Sequence, residues 1–322
     1  MERRENRTLP VAIQEGHVMV ILIPHKDNPH TGKGKFMSRL SAELRRQGHK
    51  TVHSPKYKHD VYLDYNSFRW ETDRPKILRL NGVYVNKDFP SGSANKSIRH
   101  ECKKADGLVY QSEFCKRMNL KYTSYGLDKP SQVIFNGAPI MKKAPELATQ
   151  YEHTFVACAR WRPHKRLSTI LSAFLEAQIP NSELVVIGKF KSRDVPNVRW
   201  LGKVEDVVVD MFMANATASL HLAYLDWAPN SVVESLVAGC PVICTDSGGT
   251  QEVVLDGCGK VLEIEKPYDG GMVSLKKPPV IDHKPVAKAM RESLSWPRVE
   301  NNWHVNIENV AGQYVEFMRK FV

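Results

Sequence analysis

The sequence predicts an α/β protein built from two successive parallel-sheet units, and three observations carry that reading. The chain has 322 residues, which suggests two domains at roughly 100–200 residues each. Short β-branched runs alternate with stretches whose apolar residues recur at helical spacing, the pattern of βαβ units. The alternation then starts afresh after the polar, poorly patterned stretch 141–153, the best candidate for a linker.

In the first unit, 18–24 reads as a buried strand and 34–47 as a helix with Phe36, Met37, Leu40 and Leu44 on one face, ended by Gly48. Strands follow at 50–53, 60–64, 76–80, 107–111 and 132–135, with helices at 94–105 and 113–122 between the later ones. In the second unit, strands at 154–159, 183–187, 198–201, 216–222, 241–245 and 260–264 alternate with helices at 167–178, 204–214, 231–238 and 284–293. Beyond the last strand, 302–321 end in a helix carrying Val305, Ile307, Val310, Tyr314, Phe317 and Met318. The expected organisation is a first domain over 1–145, a second over 146–300 and a closing helix over 301–322. No longer repeat recurs.

Charged residues make up 25% and aromatics 9% of the chain, which excludes disordered, collagen-like and disulfide-scaffold classes. The apolar run 18–23 is far shorter than the ~20 residues of a membrane span. The first sixteen residues are polar and lack the apolar core of a secretory signal, so a cytoplasmic location is expected. Cysteines 102, 115, 158, 240, 244 and 258 form no CxxC pair, and neither disulfides nor a zinc site are expected.

The charge is one-sided. Residues 1–143 hold 27 Lys+Arg against 14 Asp+Glu, whereas 144–322 hold 19 against 21. A basic half suggests an anionic partner: an acidic glycan, a lipid-linked acceptor, nucleic acid or an anionic membrane surface met peripherally. A basic face that merely aids solubility is the alternative.

The most informative segment runs from Asp226 through Pro229-Asn-Ser-Val-Val-Glu234 to Ser247-Gly-Gly-Thr250. Ser231 and Glu234 have the spacing of a capping box opening a short helix that Gly239 and Pro241 close. A carboxylate in that first turn, at the carboxyl end of a parallel sheet, can also accept hydrogen bonds from a ribose diol, and the helix N-terminus beside it favours a phosphate. In the first half, Thr31-Gly-Lys-Gly34 is expected as a turn between strand and helix. It is no Walker A loop, because Pro29 and Phe36 stand where Gly and Ser/Thr are required.

These residues carry a family resemblance. The pair Asp226/Glu234, the run PNSVVESLVAGCPVI and the following SGGTQEVV resemble the donor-site signature of retaining glycosyltransferases of family 4, which have the GT-B fold of two Rossmann-like domains facing across a cleft. Arg160-Trp-Arg-Pro-His-Lys165, NVRWLGKV at 197–204 and VIFNGAP at 133–139 are similar to further family segments, and Asp226 stands where most members carry Glu. The resemblance implies transfer of a sugar from a nucleotide diphosphate sugar with retention of configuration. The second domain would bind the donor and the first mostly the acceptor. Arg160 and Lys165 would hold the diphosphate, Glu234 the ribose, and Asp226 with 247–250 the hexose. Asn230, Ser231, Val232, Gly248, Gly249 and Thr250 join the donor site, with Gly32 and Gly34 approaching the phosphates from the first domain. Asn81, Tyr84 and Lys33 are acceptor-side candidates, and Lys33, Lys35, Arg39, Arg99, Lys103 and Lys104 would attract an anionic acceptor. Two fixed cations can stabilise a departing diphosphate, and no DxD motif ends a strand, so neither a metal nor another cofactor is expected. A GT-B protein that only binds a nucleotide sugar or a partner, a glycosyltransferase acting on nucleic acid and, more remotely, an epimerase remain open.

Overall fold

The computed structural model describes residues 18–24, 32–124, 128–140, 149–191 and 193–322, with Lys33 described only in its backbone. Most of the expected linker, 141–148, lies outside these residues. Among the described residues all strands pair in parallel, and the central ones of both sheets are buried throughout or nearly so.

The first sheet contains β1 (Val20–Leu22), β2 (Lys50–Val52), β3 (Val61–Tyr65), β4 (Lys76–Leu80), β5 (Gly107–Tyr110) and β6 (Ser131–Val133), in the order β2-β1-β3-β4-β5-β6. The second contains β7 (His153–Cys158), β8 (Ser182–Ile187), β9 (Val198–Gly202), β10 (Ala218–His221), β11 (Val242–Thr245) and β12 (Gly259–Leu262), in the order β12-β11-β10-β7-β8-β9. From β7 the chain moves outward through β8 and β9, then returns to place β10 on the other side of β7. Such a reversal leaves a crevice at the carboxyl ends of β7 and β10, where open α/β sheets take their ligands. In the first sheet the reversal lies between β1 and β3.

Helices α1 (Gly32–Arg46), α2 (Ser91–Lys104) and α3 (Glu113–Thr123) flank the first sheet; α4 (Leu167–Ala177), α5 (Asp206–Asn215), α6 (Asn230–Val237), the short α7 (Thr250–Val253) and α8 (Lys284–Glu292) flank the second. α1 begins at Gly32, so Gly32 and Gly34 lie in its first turn and not in the turn expected before it. α9 (Ile307–Met318) crosses back to the first unit, burying Val310, Tyr314, Phe317 and Met318 among Phe36, Met37, Leu40 and Ile77. Gly107 makes room for it, since a Cβ there would stand 2.6 Å from Phe321 and 3.0 Å from Phe317.

Further ties join the units away from the cleft. Val273 lies alongside Val85 and Lys87 in a strand-like bridge, accepting from Lys87 N–H at 2.8 Å and donating to Val85 at 2.9 Å. Glu252 accepts from the N–H groups of Glu113 and Phe114 at 2.5 and 2.7 Å, capping α3 with a carboxylate from the other unit. A negative group suits a helix N-terminus. No helix among the described residues is long and apolar enough to cross a membrane.

Candidate functional site

A cleft of about 850 Å³ opens between the carboxyl ends of the two sheets. Its second-sheet wall is set by three strand ends held close together. Gly188, at φ +113°, follows β8, where a Cβ would stand 2.0 Å from the Ala159 carbonyl; only a glycine permits that approach. The loops after β7, β8 and β9 thereby bring Arg160, Lys189 and Lys203 to the cleft. All three are exposed, and among the described residues none forms an ion pair. Lys189 carries no recognisable motif, and Lys203 lies in the NVRWLGKV segment without having been singled out, so sequence reasoning assigned neither to the site.

Lys165 ends a single 3-10 turn (Pro163–Lys165), and Arg166 follows in the left-handed conformation at φ +53°. Arg166 is buried against Glu265 and donates to the Pro279 carbonyl at 2.9 Å, which anchors the turn. Lys165 Nζ meets Asp226 Oδ2 in a close ion pair, and His221 Nε2 lies 3.2 Å from the same oxygen. Burial alone would raise the Asp226 carboxyl, but Lys165 and the His221 hydrogen bond overcome it and hold the group well below the usual carboxylate range. Burial also lowers His221, although Asp226 opposes the shift, and burial beside Lys165 pushes His164 down to about 4. Neutral His221 donates from Nε2 to Asp226, leaving Nδ1 to accept from Ser231 Oγ at 3.4 Å. Asp226 thus anchors a chain Lys165–Asp226–His221–Ser231.

The capping box does not form. α6 starts at Asn230 with Pro229 as its cap residue and no side-chain cap, so Ser231 lies inside the helix and Glu234 two residues deeper than expected. Proline sets the entry itself, with its fixed φ and absent N–H. Glu234, only 6% exposed, lies with Oε1 2.8 Å from Lys35 Nζ and 2.9 Å from Arg39 Nη1, both reaching from α1 across the cleft. Lys35 also contacts Asp206 at 2.9 Å. Burial would lower Lys35, yet the Glu234 carboxylate raises it overall, whereas burial and nearby Glu234 raise Asp210.

Gly32, Arg160, Lys165, Asp226, Asn230, Ser231 and Glu234 all line the cleft. Asn81 lines it too, joined by Arg79, Gln111 and Asn136 at the carboxyl ends of neighbouring first-sheet strands. Asn136 donates to Asn230 Oδ1 at 2.8 Å, and Asn230 donates to the Gly32 carbonyl at 2.6 Å, so an amide relay spans the two units.

Other expected site residues lie elsewhere. Tyr84 is absent from the cleft wall; it is exposed and stacks on Phe89 with ring centroids 5.2 Å apart. The backbone turns away at Gly82, whose space is filled by the Trp227 ring. Val232 is a core residue, packed with Leu236 and Val305. Gly248, Gly249 and Thr250 do not line the cleft either. The two glycines instead support it from behind: Gly249 donates to the Asp226 carbonyl at 2.7 Å, and a Cβ on it would stand 2.1 Å from the Trp227 carbonyl. Gly34 is buried and does not line the cleft. The expected basic acceptor surface is also reduced, since Lys35 and Arg39 are committed to Glu234 and Lys104 pairs with Glu71 at 3.1 Å and Glu101 at 3.4 Å. Arg99 and Lys103 are exposed on α2, and the Lys33 side chain lies outside the described residues.

Residues 142–267, which carry Arg160, Lys165, Asp226 and Glu234, match the family model of group 1 glycosyl transferases. No curated protein matches the chain by sequence. Among solved structures, sucrose-phosphate synthase from Thermosynechococcus elongatus superimposes with a TM-score of 0.69 at 15% identity, covering 94% of this chain and 99% of that one. HepE from Anabaena, in complex with UDP and glucose, gives 0.66 at 12% identity over 94% and 100% of the two chains. WaaG, a glycosyltransferase of lipopolysaccharide biosynthesis, gives 0.61 at 15% identity over 92% and 95%. The fold is GT-B: two Rossmann-like units facing across a cleft.

Proposed function

We propose that the chain is a glycosyltransferase that moves a sugar from a nucleotide diphosphate sugar to an acceptor with retention of configuration. The observation that carries the reading is that Arg160, Lys165, Lys189 and Lys203, from the loops after β7, β8 and β9, all line the second-sheet wall of the cleft, with the Glu234 carboxylate on α6. The match to group 1 glycosyl transferases covers this wall, and the similar HepE structure was solved with UDP-glucose.

A diphosphate leaving group gains negative charge as the glycosidic bond breaks. Fixed cations stabilise that charge most in the transition state. Arg160 and Lys165 take the diphosphate, Lys189 and Lys203 add to the field, and Asp226 holds Lys165 in place while facing the hexose. Glu234 offers its second oxygen to the ribose diol, and the first turn of α1 at Gly32 closes over the phosphates. The departing phosphate oxygen takes the acceptor proton on the same face of the sugar, so no protein base is required. These side chains supply the charge that a divalent ion would otherwise bring, and the acceptor is anionic.

The test is slow hydrolysis of a panel of nucleotide sugars without acceptor, followed by NMR of the released anomer and repeated in EDTA. Hydrolysis with the donor's own anomer formed first, undiminished by the chelator, is expected. No hydrolysis of any donor would favour a binding protein, the opposite anomer would remove retention, and EDTA loss restored by Mn²⁺ would remove the metal-free account.

A further inference from the structure

Arg79, at the floor of the cleft, is a buried cation that the leaving-group chemistry does not use. It lies on β4, is 1% exposed, and heads the bulkiest fully buried side chains. The Phe36 ring lies 4.4 Å from its guanidinium carbon. Nη1 donates to Asn81 Oδ1, and Nη2 donates to Asn136 Oδ1 and, at 3.3 Å, to Gln111 Oε1. All three acceptors are neutral amides.

Among the described residues Arg79 has no ion-pair partner. Asp64 precedes Tyr65, the register partner of Arg79, and alternation along the strand turns it to the other face, where it accepts from the Tyr62 hydroxyl at 2.8 Å. Burial pushes the nearby Tyr314 phenol up to about 12, against the pull of Arg79 and a hydrogen bond with it, so Tyr314 is a further neutral neighbour and supplies no counter-charge. Buried charges are ordinarily paired, because desolvation is expensive. A further donor on this floor, Asn81 Nδ2, is buried without a partner. A purely structural arginine tying strand ends together explains the neutral contacts, but neither the missing counter-charge nor the idle Asn81 amide.

We propose that Arg79 and Asn81 bind an anionic oxygen group, a carboxylate or a phosphate, on the sugar that enters the cleft from the first-sheet side. The proposal rests on the sugar-transfer reading and adds to it a specificity residue distinct from the diphosphate cations. Those cations come from the second sheet, whereas Arg79, Asn81, Gln111 and Asn136 come from adjacent strands of the first.

The experiment titrates the UDP-saturated protein with glucose, glucuronate and glucose 6-phosphate. One of the two anionic sugars should bind at least about tenfold tighter than glucose, as charge-assisted bonds to a guanidinium allow; which one separates carboxylate from phosphate. Comparing UDP-glucuronate with UDP-glucose separates a donor-borne anion from one on the acceptor. Arg79→Gln should erase the preference while UDP affinity stays. Should that variant fail to fold, Asn81→Asp gives the guanidinium an internal counter-ion and should erase it equally. No preference in the wild type, a preference that survives in the variants, or a loss of UDP affinity matching the loss of the anionic sugar would overturn the proposal. UDP stands here for whichever nucleoside diphosphate binds, and failure of the wild type to bind any of UDP, GDP, ADP and dTDP would instead count against the sugar-transfer reading.

Discussion

Glu234 Oε1 and Lys35 Nζ, from helices of opposite units, lie 2.8 Å apart, so the acid at the second-sheet wall is held by a cation from the first. With Arg39 on the same oxygen at 2.9 Å, the pair draws α1 over the cleft where the donor would sit. A donor ribose that hydrogen-bonds Glu234 meets a carboxylate whose charge is already balanced.

Replacing Glu234 with Gln should therefore act twice. It removes the charged acceptor for the ribose, leaves Arg39 without its carboxylate and leaves Lys35 with Asp206 alone, a loss bounded by the about 3–5 kcal/mol of a fully broken buried pair. Weaker nucleotide binding by calorimetry together with a lower unfolding midpoint is expected. Unchanged nucleotide affinity would sink the ribose assignment.

Arg160→Ala and Lys165→Ala should lower kcat more than they raise KM, because the charge they meet grows toward the transition state. Asp226→Asn should resemble Lys165→Ala, since it releases the ammonium from the carboxylate that holds it. Steady-state kinetics on the three variants check this; an Asp226→Asn enzyme with wild-type kcat would show that Lys165 needs no anchor.

Gly249→Ala should destabilise the protein by about 1–3 kcal/mol. The added Cβ would meet the Trp227 carbonyl at 2.1 Å and Ser112 Oγ at 2.5 Å, and the backbone can yield only by moving the Asp226 loop. Urea unfolding measures the cost, and activity should fall with it. A variant as stable and active as wild type would refute the supporting role.

Stability should decline as the pH drops from 6.5 toward about 4, because folding depresses His164 from its ordinary value of 6.5 to about 4. In that window the unfolded chain binds a proton that the folded chain refuses, so acid favours unfolding. His221, lowered in the same direction, adds to the slope. His164→Gln should flatten the pH dependence of the unfolding midpoint; an unchanged slope would place the proton elsewhere.

Much of the fold was legible because buried parallel strands read as β-branched runs: 76–80 coincides with β4, and the second sheet follows the expected spacing. The four-residue α7 is too short to show a period. The capping box was misread because Pro229 supplies the helix entry two residues before Ser231, and local spacing cannot show which signal prevails. Tyr84 was misplaced because a strand-to-turn Asn-Gly does not reveal which way the chain leaves, a direction here set by Trp227 packing on Gly82. The Lys35–Glu234 pair and the Arg79 pocket join residues far apart in the chain, and no local pattern connects them.

The most direct measurement is calorimetric titration of the protein with UDP, GDP, ADP and dTDP. The account predicts that one of them binds with one-to-one stoichiometry and that Lys165→Ala weakens it by at least about tenfold, the worth of a hydrogen-bonded charge on phosphate. Absence of binding for every nucleoside diphosphate, or binding indifferent to Lys165 and Arg160 alike, would contradict it.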